Sequence, residues 1–244
     1  MYSFSFCIHM YTYTHIYLYT FIYVYVSMYT GVVSRIDPST NTIDKTVAVG
    51  PNPEEMVIVN KSLYVTNSDG NNYNAGYANG KSVSKISLSD FVEEKKIAVG
   101  LNPTKITADV LGNVLVLCMG DYSATPATVW KINAEDEATS MNIPATIMDI
   151  KDNSLYVINA PYGAPSITYT VYNTSSGAVE KENFVSAPVD APAGIAVHSD
   201  GRIFITSYTL VGGFASYKTP GYVSEYSSDG TFVKKYDVGV GAVS

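Results

Sequence analysis

Side chains capable of catalysis are sparse in this sequence. Residues 31 to 244 contain one histidine, His198, and one cysteine, Cys118. Two adjacent glutamates, Glu54 and Glu55, stand at the start of an apolar stretch, where carboxylates could converge on a divalent cation for hydrolysis. A single histidine provides neither a ring of metal ligands nor an obvious Ser-His-Asp triad. We therefore expect no catalytic residue, metal or cofactor, and a hydrolase is the alternative.

Aromatic and amide side chains collect instead in long stretches rich in glycine and asparagine. Tyrosine rings beside adaptable amides suit contact with flat or sugar-like ligands and with proteins. We expect such residues to bind a ligand, although the loops could also merely pack on one another. The candidates are Asn52, Asn67, Tyr73, Tyr77, Asn102, Tyr122, Tyr162, Tyr208 and Tyr217.

The candidate residues lie between the elements of an internal repeat. Its anchors are four prolines, spaced 50, 41 and 48 residues apart, each followed 11 or 12 residues later by the second position of a β-rich run. The prolines are Pro53, Pro103, Pro144 and Pro192, and the positions in the runs are Tyr64, Leu115, Tyr156 and Phe204. A near-constant offset at four sites indicates a repeated structural unit.

Each unit contains four predicted antiparallel strands, A to D. In the best-defined unit they cover residues 56–59, 63–67, 83–86 and 95–99, separated by polar turns or loops. Four-stranded units at this period are typical of β-propeller blades, and a β-sandwich or β-helix is the alternative. Counting from Gly31 gives a C–D pair and four complete blades. The sequence predicts an all-β protein with about four and a half blades.

Short motifs in these strands resemble a known family. Residues Tyr64 to Asn67 spell the motif that names the YVTN-repeat β-propellers, and residues 192–206 are similar to that family's A–B hairpin. The resemblance covers residues 31–244, but the glycine three residues before the proline is replaced by Met141 and Val189 in two repeats. It implies a truncated piece of a seven-bladed, cell-surface or lactonase-like propeller, and an extracytoplasmic location.

The order of antiparallel strands places the loops on two faces. The A–B and C–D turns emerge on one face, and the B–C and D–A loops on the other. The B–C loops, residues 68–81, 119–126, 160–165 and 208–221, are long, and long loops on a rigid scaffold commonly carry binding sites. We predict a non-catalytic envelope propeller that binds a small molecule or protein through this face. A lactonase-like hydrolase or a structural, adhesive module is the alternative.

The first thirty residues have a different character. They contain no Asp, Glu, Lys or Arg and alternate from Cys7 between two restricted residue sets. Codons of an alternating purine–pyrimidine DNA repeat produce this alternation, so we interpret residues 1 to 30 as a translated DNA repeat outside the fold. A strand is the alternative favoured by the period of two. A secretory signal and a membrane helix fit poorly, and His9 and His15 are not expected to bind metal.

Charge and composition limit the class of partner. Only 15% of residues are charged, with 22 acidic and 15 basic side chains and no basic cluster. We therefore expect no nucleic-acid partner and no transmembrane span. The acidic excess fits solubility, and attraction of a cationic partner is the alternative. Cys118 and Trp130 both lie in apolar strands and are predicted to be packing residues.

Overall fold

The structure is a computed structural model that describes residues 7–10, 14–19, 23–163 and 166–241, with side chains from Tyr23 onward. The chain forms two compact units. The first comprises the described residues up to Ala108 together with Gly112–Asn142, and the second comprises Asp109–Leu111 and the described residues from Ile143.

The first unit contains three antiparallel sheets and one 3-10 helix, Gly70–Ala75. The first sheet consists of β1 (Cys7–Met10), β2 (Thr14–Tyr19), β3 (Tyr23–Met28), β4 (Val32–Asp37) and β5 (Thr42–Ala48). The second consists of β6 (Pro53–Val59), β7 (Ser62–Asn67), β8 (Ser82–Ser87) and β9 (Glu93–Ala98). The third consists of β10 (Pro103–Ala108), β11 (Val114–Cys118), β12 (Thr128–Ile132) and β13 (Ala138–Pro144), whose last two residues are assigned to the second unit.

The second unit contains two four-stranded antiparallel sheets and a small hairpin. One sheet consists of β14 (Ile147–Lys151), β15 (Ser154–Asn159), β16 (Thr168–Asn173) and β17 (Val179–Glu182). The other consists of β18 (Pro192–Val197), β19 (Ile203–Ser207), β22 (Pro220–Tyr226) and β23 (Phe232–Val240). The hairpin of β20 (Thr209–Val211) and β21 (Phe214–Ser216) lies within the loop between β19 and β22.

Strands follow the chain order within every sheet, as predicted for blades of the A–B–C–D type. Among the strands with described side chains, inner strands are more buried than outer ones, because an inner strand has a neighbouring strand on either side. In β11 all five residues are buried, and in β17, an outer strand, all four are exposed. The prediction of an all-β protein made of four-stranded propeller blades is confirmed.

The first blade differs from the sequence-based expectation. Residues 1 to 30 were assigned no part in the fold, but β3 pairs with β4 and contributes Tyr25, which is 5% exposed and stacks on Phe91. The period of two in the repeat is itself a good strand pattern, and β4 requires a neighbour for its backbone groups. Residues 1–6, 11–13 and 20–22 lie outside the described residues, as do the side chains of His9 and His15.

The anchoring prolines take two positions. Pro53, Pro103 and Pro192 each open a first strand, whereas Pro144 closes a fourth strand, β13. Gly50 and Gly100, each three residues before one of the first two prolines, are required for steric reasons. A Cβ at Gly50 would lie 2.5 Å from Cγ of Asn67, so only a hydrogen fits there.

Cys118 is buried in the core, as predicted. Cys118 is 1% exposed, and burial raises the pKa of its thiol to about 12, so it stays protonated at neutral pH. Within the described part of the chain, no helix combines the length and hydropathy needed to cross a membrane.

Candidate functional site

The B–C and D–A loops, which were predicted to bind a ligand, lie side by side at one edge of the blade, here called the rim. The amide after strand B donates to the carbonyl of the residue before strand A in three blades. These bonds are Ser68 to Asn52 at 3.1 Å, Met119 to Asn102 at 2.8 Å, and Tyr208 to Ala191 at 3.0 Å. Because this bond recurs, the B–C and D–A loops of each of these blades emerge side by side.

Three candidate asparagines prove to be buried supports of this rim. Asn52 and Asn102 occupy equivalent left-handed positions, with φ of 44° and 56°, a conformation that asparagine tolerates. The Asn52 side chain donates to the carbonyl of Tyr29 and accepts from the amide of Asn71. Asn67, fully buried, donates to the hydroxyls of two serines in β8. These side chains hold loops in place and offer a ligand little surface.

Two predicted tyrosines of the first unit meet at the rim. The rings of Tyr77 and Tyr122 have centroids 6.2 Å apart and an interplanar angle of 63°. Tyr122 is 65% exposed and Tyr77 is half-buried. Partial burial of the hydroxyl and the neighbouring Tyr77 raise the pKa of Tyr122, while a hydrogen bond from Asn102 opposes this shift. The structure thus brings together residues 45 positions apart in the chain.

The backbone at both tyrosines is unusual. Every other non-glycine residue with positive φ in the described ranges is Asn or Asp, except Phe91. Phe91 is 3% exposed, so core packing accounts for its conformation. Tyr77 and Tyr122, with φ of 55° and 58°, have no such burial. Bulky residues in this region cost roughly 1–3 kcal/mol each, and such strain is concentrated at functional sites.

Local hydrogen bonds hold the two tyrosine loops. The Asp69 carboxylate accepts from the Asn72 side chain at 3.0 Å and from the Asn79 amide at 2.9 Å, which closes the loop that carries Tyr77. The Asp121 carboxylate accepts from the amides of Ser123 and Thr125, at 2.9 and 2.8 Å, around Tyr122. Both rings are therefore presented by ordered loops.

Glu54 lies in β6, the first strand of the blade whose long loop carries Tyr77. Its carboxylate accepts from the Ser68 hydroxyl at 2.9 Å and from the Tyr29 hydroxyl at 3.1 Å. Burial raises the pKa of Glu54, and these hydrogen bonds oppose the rise. The charge of Glu54 makes a small contribution to the raised pKa of Tyr122, after burial and the neighbouring Tyr77.

Glu55 has a different environment from its neighbour. It forms an ion pair with Lys105 at 2.9 Å and accepts from the Ile106 amide. The two glutamates therefore do not converge on a shared point. In the residues that the structure describes, no cluster of three or more His, Cys, Asp or Glu side chains is suited to a metal ion.

The remaining candidate tyrosines are placed separately. Tyr73 is 64% exposed on the 3-10 helix of the first unit. In the second unit, Tyr208 and Tyr217 form an edge-to-face pair with centroids 4.8 Å apart. Tyr162 is 95% exposed and lies next to residues 164 and 165, which are outside the described residues.

The opposite face of the blades carries ion pairs and a small cleft. His198 lies 2.9 Å from a carboxylate oxygen of Asp200, which also accepts from Arg202 at an exposed A–B turn. The second unit has a cleft of about 160 Å³ lined by Tyr156, Val171, Glu180, Lys181, Phe184 and Ile203. Pockets for drug-sized ligands usually exceed roughly 300 Å³.

Sequence reasoning missed part of the site. It considered Glu54 only as a metal ligand and placed Tyr29 outside the fold. The hydroxyl partners Ser68 and Tyr29 come from two different blades, so no local motif could have indicated them. The position of Glu54 at the start of a strand, two residues after Asn52, was the feature of the sequence that could have indicated a place near the rim.

Comparison with solved structures supports the fold. No protein-family profile and no curated protein sequence matches the chain. It is similar to a chain of Kuenenia stuttgartiensis hydrazine synthase, with TM-score 0.64, 17% identity, and coverage of 89% of this chain and 63% of that one. It thus spans less than two thirds of that chain's length.

Two further solved structures with a similar fold come from proteins of other kinds. A functionally unknown protein of Desulfotomaculum acetoxidans matches with TM-score 0.63 and 12% identity, over 97% of this chain and 80% of its own. A chain of the mitotic checkpoint complex matches with TM-score 0.63 and 11% identity, over 94% and 68%. At these identities the likeness shows the propeller-type fold alone.

Proposed function

We propose that this protein is a non-catalytic binding module that contacts its ligand through the rim of B–C and D–A loops. The observation that carries the proposal is the surface pair of Tyr77 and Tyr122, held by strained backbone above ordered loops. Aromatic side chains of this kind provide much of the affinity at binding surfaces.

The separate environments of the two glutamates favour binding over hydrolysis. Glu55 is engaged by Lys105, and Glu54 by two hydroxyl groups, whereas a cation-dependent hydrolase requires several carboxylates directed at one ion. The structural neighbours include a hydrazine synthase and a checkpoint complex, so the fold serves both enzymes and assemblies and does not choose between them. A location in the cell envelope rests on the resemblance to YVTN-repeat propellers.

The proposal is tested by a ligand screen followed by mapping. A panel of amines, sugars, amino acids and nucleosides is screened for a rise in melting temperature, and each hit is titrated against variants. A double Tyr77→Ala/Tyr122→Ala variant tests the loops of the first unit, and Tyr208→Ala/Tyr217→Ala tests those of the second unit. One of them should weaken binding at least about tenfold, which is roughly 1.4 kcal/mol.

The matched controls lie on the opposite turns. Asp200→Ala and Ser39→Ala should change affinity by less than about twofold, because both remove exposed side chains from the other face. The reverse pattern would move the binding site to that face. A hydrolytic activity lost on mutation of Glu55 would replace the binding function with an enzymatic one.

A further inference from the structure

In the first unit, neighbouring blades are joined by a recurring contact. A residue with positive φ in the C–D turn of one blade packs on the blade before it. Between the first two blades this residue is Phe91. Its ring stacks on Tyr25 with centroids 5.8 Å apart, and the guanidinium of Arg35, which lies opposite Tyr25 in the sheet, is 5.5 Å from the Phe91 centroid. An aromatic side chain therefore fills this position.

Between the second and third blades a carboxylate fills the equivalent position. Tyr64 lies opposite Lys85, as Tyr25 lies opposite Arg35. The next C–D turn contributes Asp136, whose carboxylate accepts from the Tyr64 hydroxyl at 3.2 Å and from the Lys85 ammonium at 3.0 Å. The same place in the fold thus accepts either a ring or a carboxylate.

In the second unit the corresponding turn residue is Gly230. Its amide donates to the carbonyl of Ser227, three residues earlier, as the amide of Asp136 donates to the carbonyl of Asn133, and Gly230 and Asp136 both have positive φ. A Cβ at Gly230 would lie 1.8 Å from the carbonyl oxygen of Phe184. No side chain can therefore enter from this position of the turn.

A cleft of about 160 Å³ lies between these two blades. Tyr156 and Val171, a directly opposite pair in β15 and β16, line it. Val171 stands where the second blade has Lys85, so a short apolar side chain replaces a long cation. Phe184 and Ile203, both buried, complete the apolar wall. Cavities of about 150 Å³ with aliphatic and aromatic walls bind benzene, so the cleft has room for one small ring.

Charged groups also line the cleft. The ammonium of Lys181 donates to the carbonyl of Asp229, and because an ammonium has three hydrogens, it retains donors for an anion. The carboxylate of Glu180 accepts from the Ser154 hydroxyl at 2.6 Å and from the Asn173 side chain at 2.9 Å, one bond to each oxygen. These bonds engage both oxygens of Glu180 within its own blade, so Lys181 is the group suited to an incoming anion.

We propose that this cleft binds a small aromatic carboxylate of the size of benzoate. The ring of the ligand lies against Tyr156 and Val171, as Phe91 lies against the first blade, and its carboxylate accepts from Lys181. The inference does not depend on the proposed rim-binding function, because none of the asparagines and tyrosines predicted to bind a ligand lines the cleft.

Titration of the full chain, followed by ligand-observed NMR, tests the site with three probes. The probes are benzoate, its neutral analogue benzamide, and acetate, which has the charge but no ring. Benzoate should bind at least about fivefold more tightly than either of the others at low salt. Only benzoate combines burial of a ring with a charge-assisted hydrogen bond.

Variants separate the ring from the charge. Lys181→Gln should weaken benzoate binding at least about fivefold and leave benzamide within about twofold. The matched control is Lys95→Gln, because Lys95 pairs with Lys85 in β8 as Lys181 pairs with Val171 in β16, and Asp136 already fills that position. It should leave both probes within about twofold. Val171→Phe places a ring in the cleft and should abolish binding of both, with urea midpoints verifying that each variant folds.

Absence of benzoate binding, or equal binding of benzoate and acetate, overturns the proposal. Equal binding of benzoate and benzamide shows that the carboxylate is not recognised, which also contradicts it. So does a folded Lys181→Gln variant with unchanged affinity for benzoate. An equal loss in Lys95→Gln and Lys181→Gln would show that benzoate associates with surface lysines in general and not with the cleft.

Discussion

An Asp136→Asn substitution removes the charge at which three side chains of the first unit converge. Asp136, in the turn between β12 and β13, accepts from the Tyr64 hydroxyl at 3.2 Å and from the Lys85 ammonium at 3.0 Å. The Lys95 ammonium lies 3.8 Å away. These partners belong to the preceding blade, so the carboxylate joins two blades. Asparagine tolerates the φ of 61° at this position, which isolates the loss of charge.

The expected cost follows from the burial of the pair. The side chains of Lys85 and Asp136 are 19% and 15% exposed. Exposed ion pairs contribute roughly 0–1 kcal/mol, and breaking a fully buried one costs about 3–5 kcal/mol. Asparagine still accepts the Tyr64 hydroxyl. We therefore expect Asp136→Asn to lower the free energy of unfolding by about 2 kcal/mol, midway between the two limits.

A double-mutant cycle by urea denaturation at neutral pH and low salt measures the interaction. Combining Asp136→Asn with Lys85→Met should give a coupling energy of about 1–2 kcal/mol. The matched control is the Lys151–Asp152 pair, which has a similar distance of 2.9 Å but side chains 33% and 68% exposed. Its coupling should stay below about 0.5 kcal/mol. If the two couplings are equal, the charge of Asp136 does not stabilise the contact between blades and the reasoning is wrong.

Three further outcomes are expected. Gly50→Ala should destabilise the protein by more than about 1 kcal/mol in urea denaturation, since its Cβ would lie 2.5 Å from Cγ of Asn67; an unchanged midpoint would contradict this. The raised pKa of Glu54 means that folding disfavours its charged form. Its contribution to stability is therefore present at low pH and lost as pH rises through that pKa. The Glu54→Gln variant should melt at a higher temperature than the parent at pH 7 but not at pH 4. Shortening the chain to begin at Gly31 should lower the melting temperature by several degrees, because β3 carries the buried Tyr25, and equal melting would show that β3 adds nothing.

Strand positions were largely predictable from the sequence. The runs 63–67 and 114–118 were assigned correctly, because recognising a strand requires only local sequence information. A largely apolar run indicates a strand covered on both faces, and turn residues mark its ends. The grouping of loops on one rim followed from antiparallel order alone, without any knowledge of side-chain contacts. In the first blade the predicted third and fourth strands correspond to β4 and β5, but β3 was not predicted, because the composition that indicated a DNA repeat was given more weight than its period of two.

The candidate site was predictable only in part. Tyr77 and Tyr122 were identified by residue type and loop length, whereas the structure adds that Asn52, Asn67 and Asn102, also predicted to contact a ligand, are buried and support the rim. An asparagine that caps a loop and one that faces a ligand have the same local sequence context. Hydrogen bonds to distant backbone distinguish them, and those depend on the packed structure.

The sequence by itself determined the all-β fold class, the four-stranded unit and the face on which the long loops emerge, because period, proline spacing and turn chemistry are local properties. Tertiary structure alone decided that Tyr64 reaches Asp136, that Tyr77 meets Tyr122, and that the Tyr29 hydroxyl reaches Glu54. The physical reason is that these contacts join different blades. They form when one sheet packs on the next, and the pattern within a single repeat carries no record of which side chains then face each other.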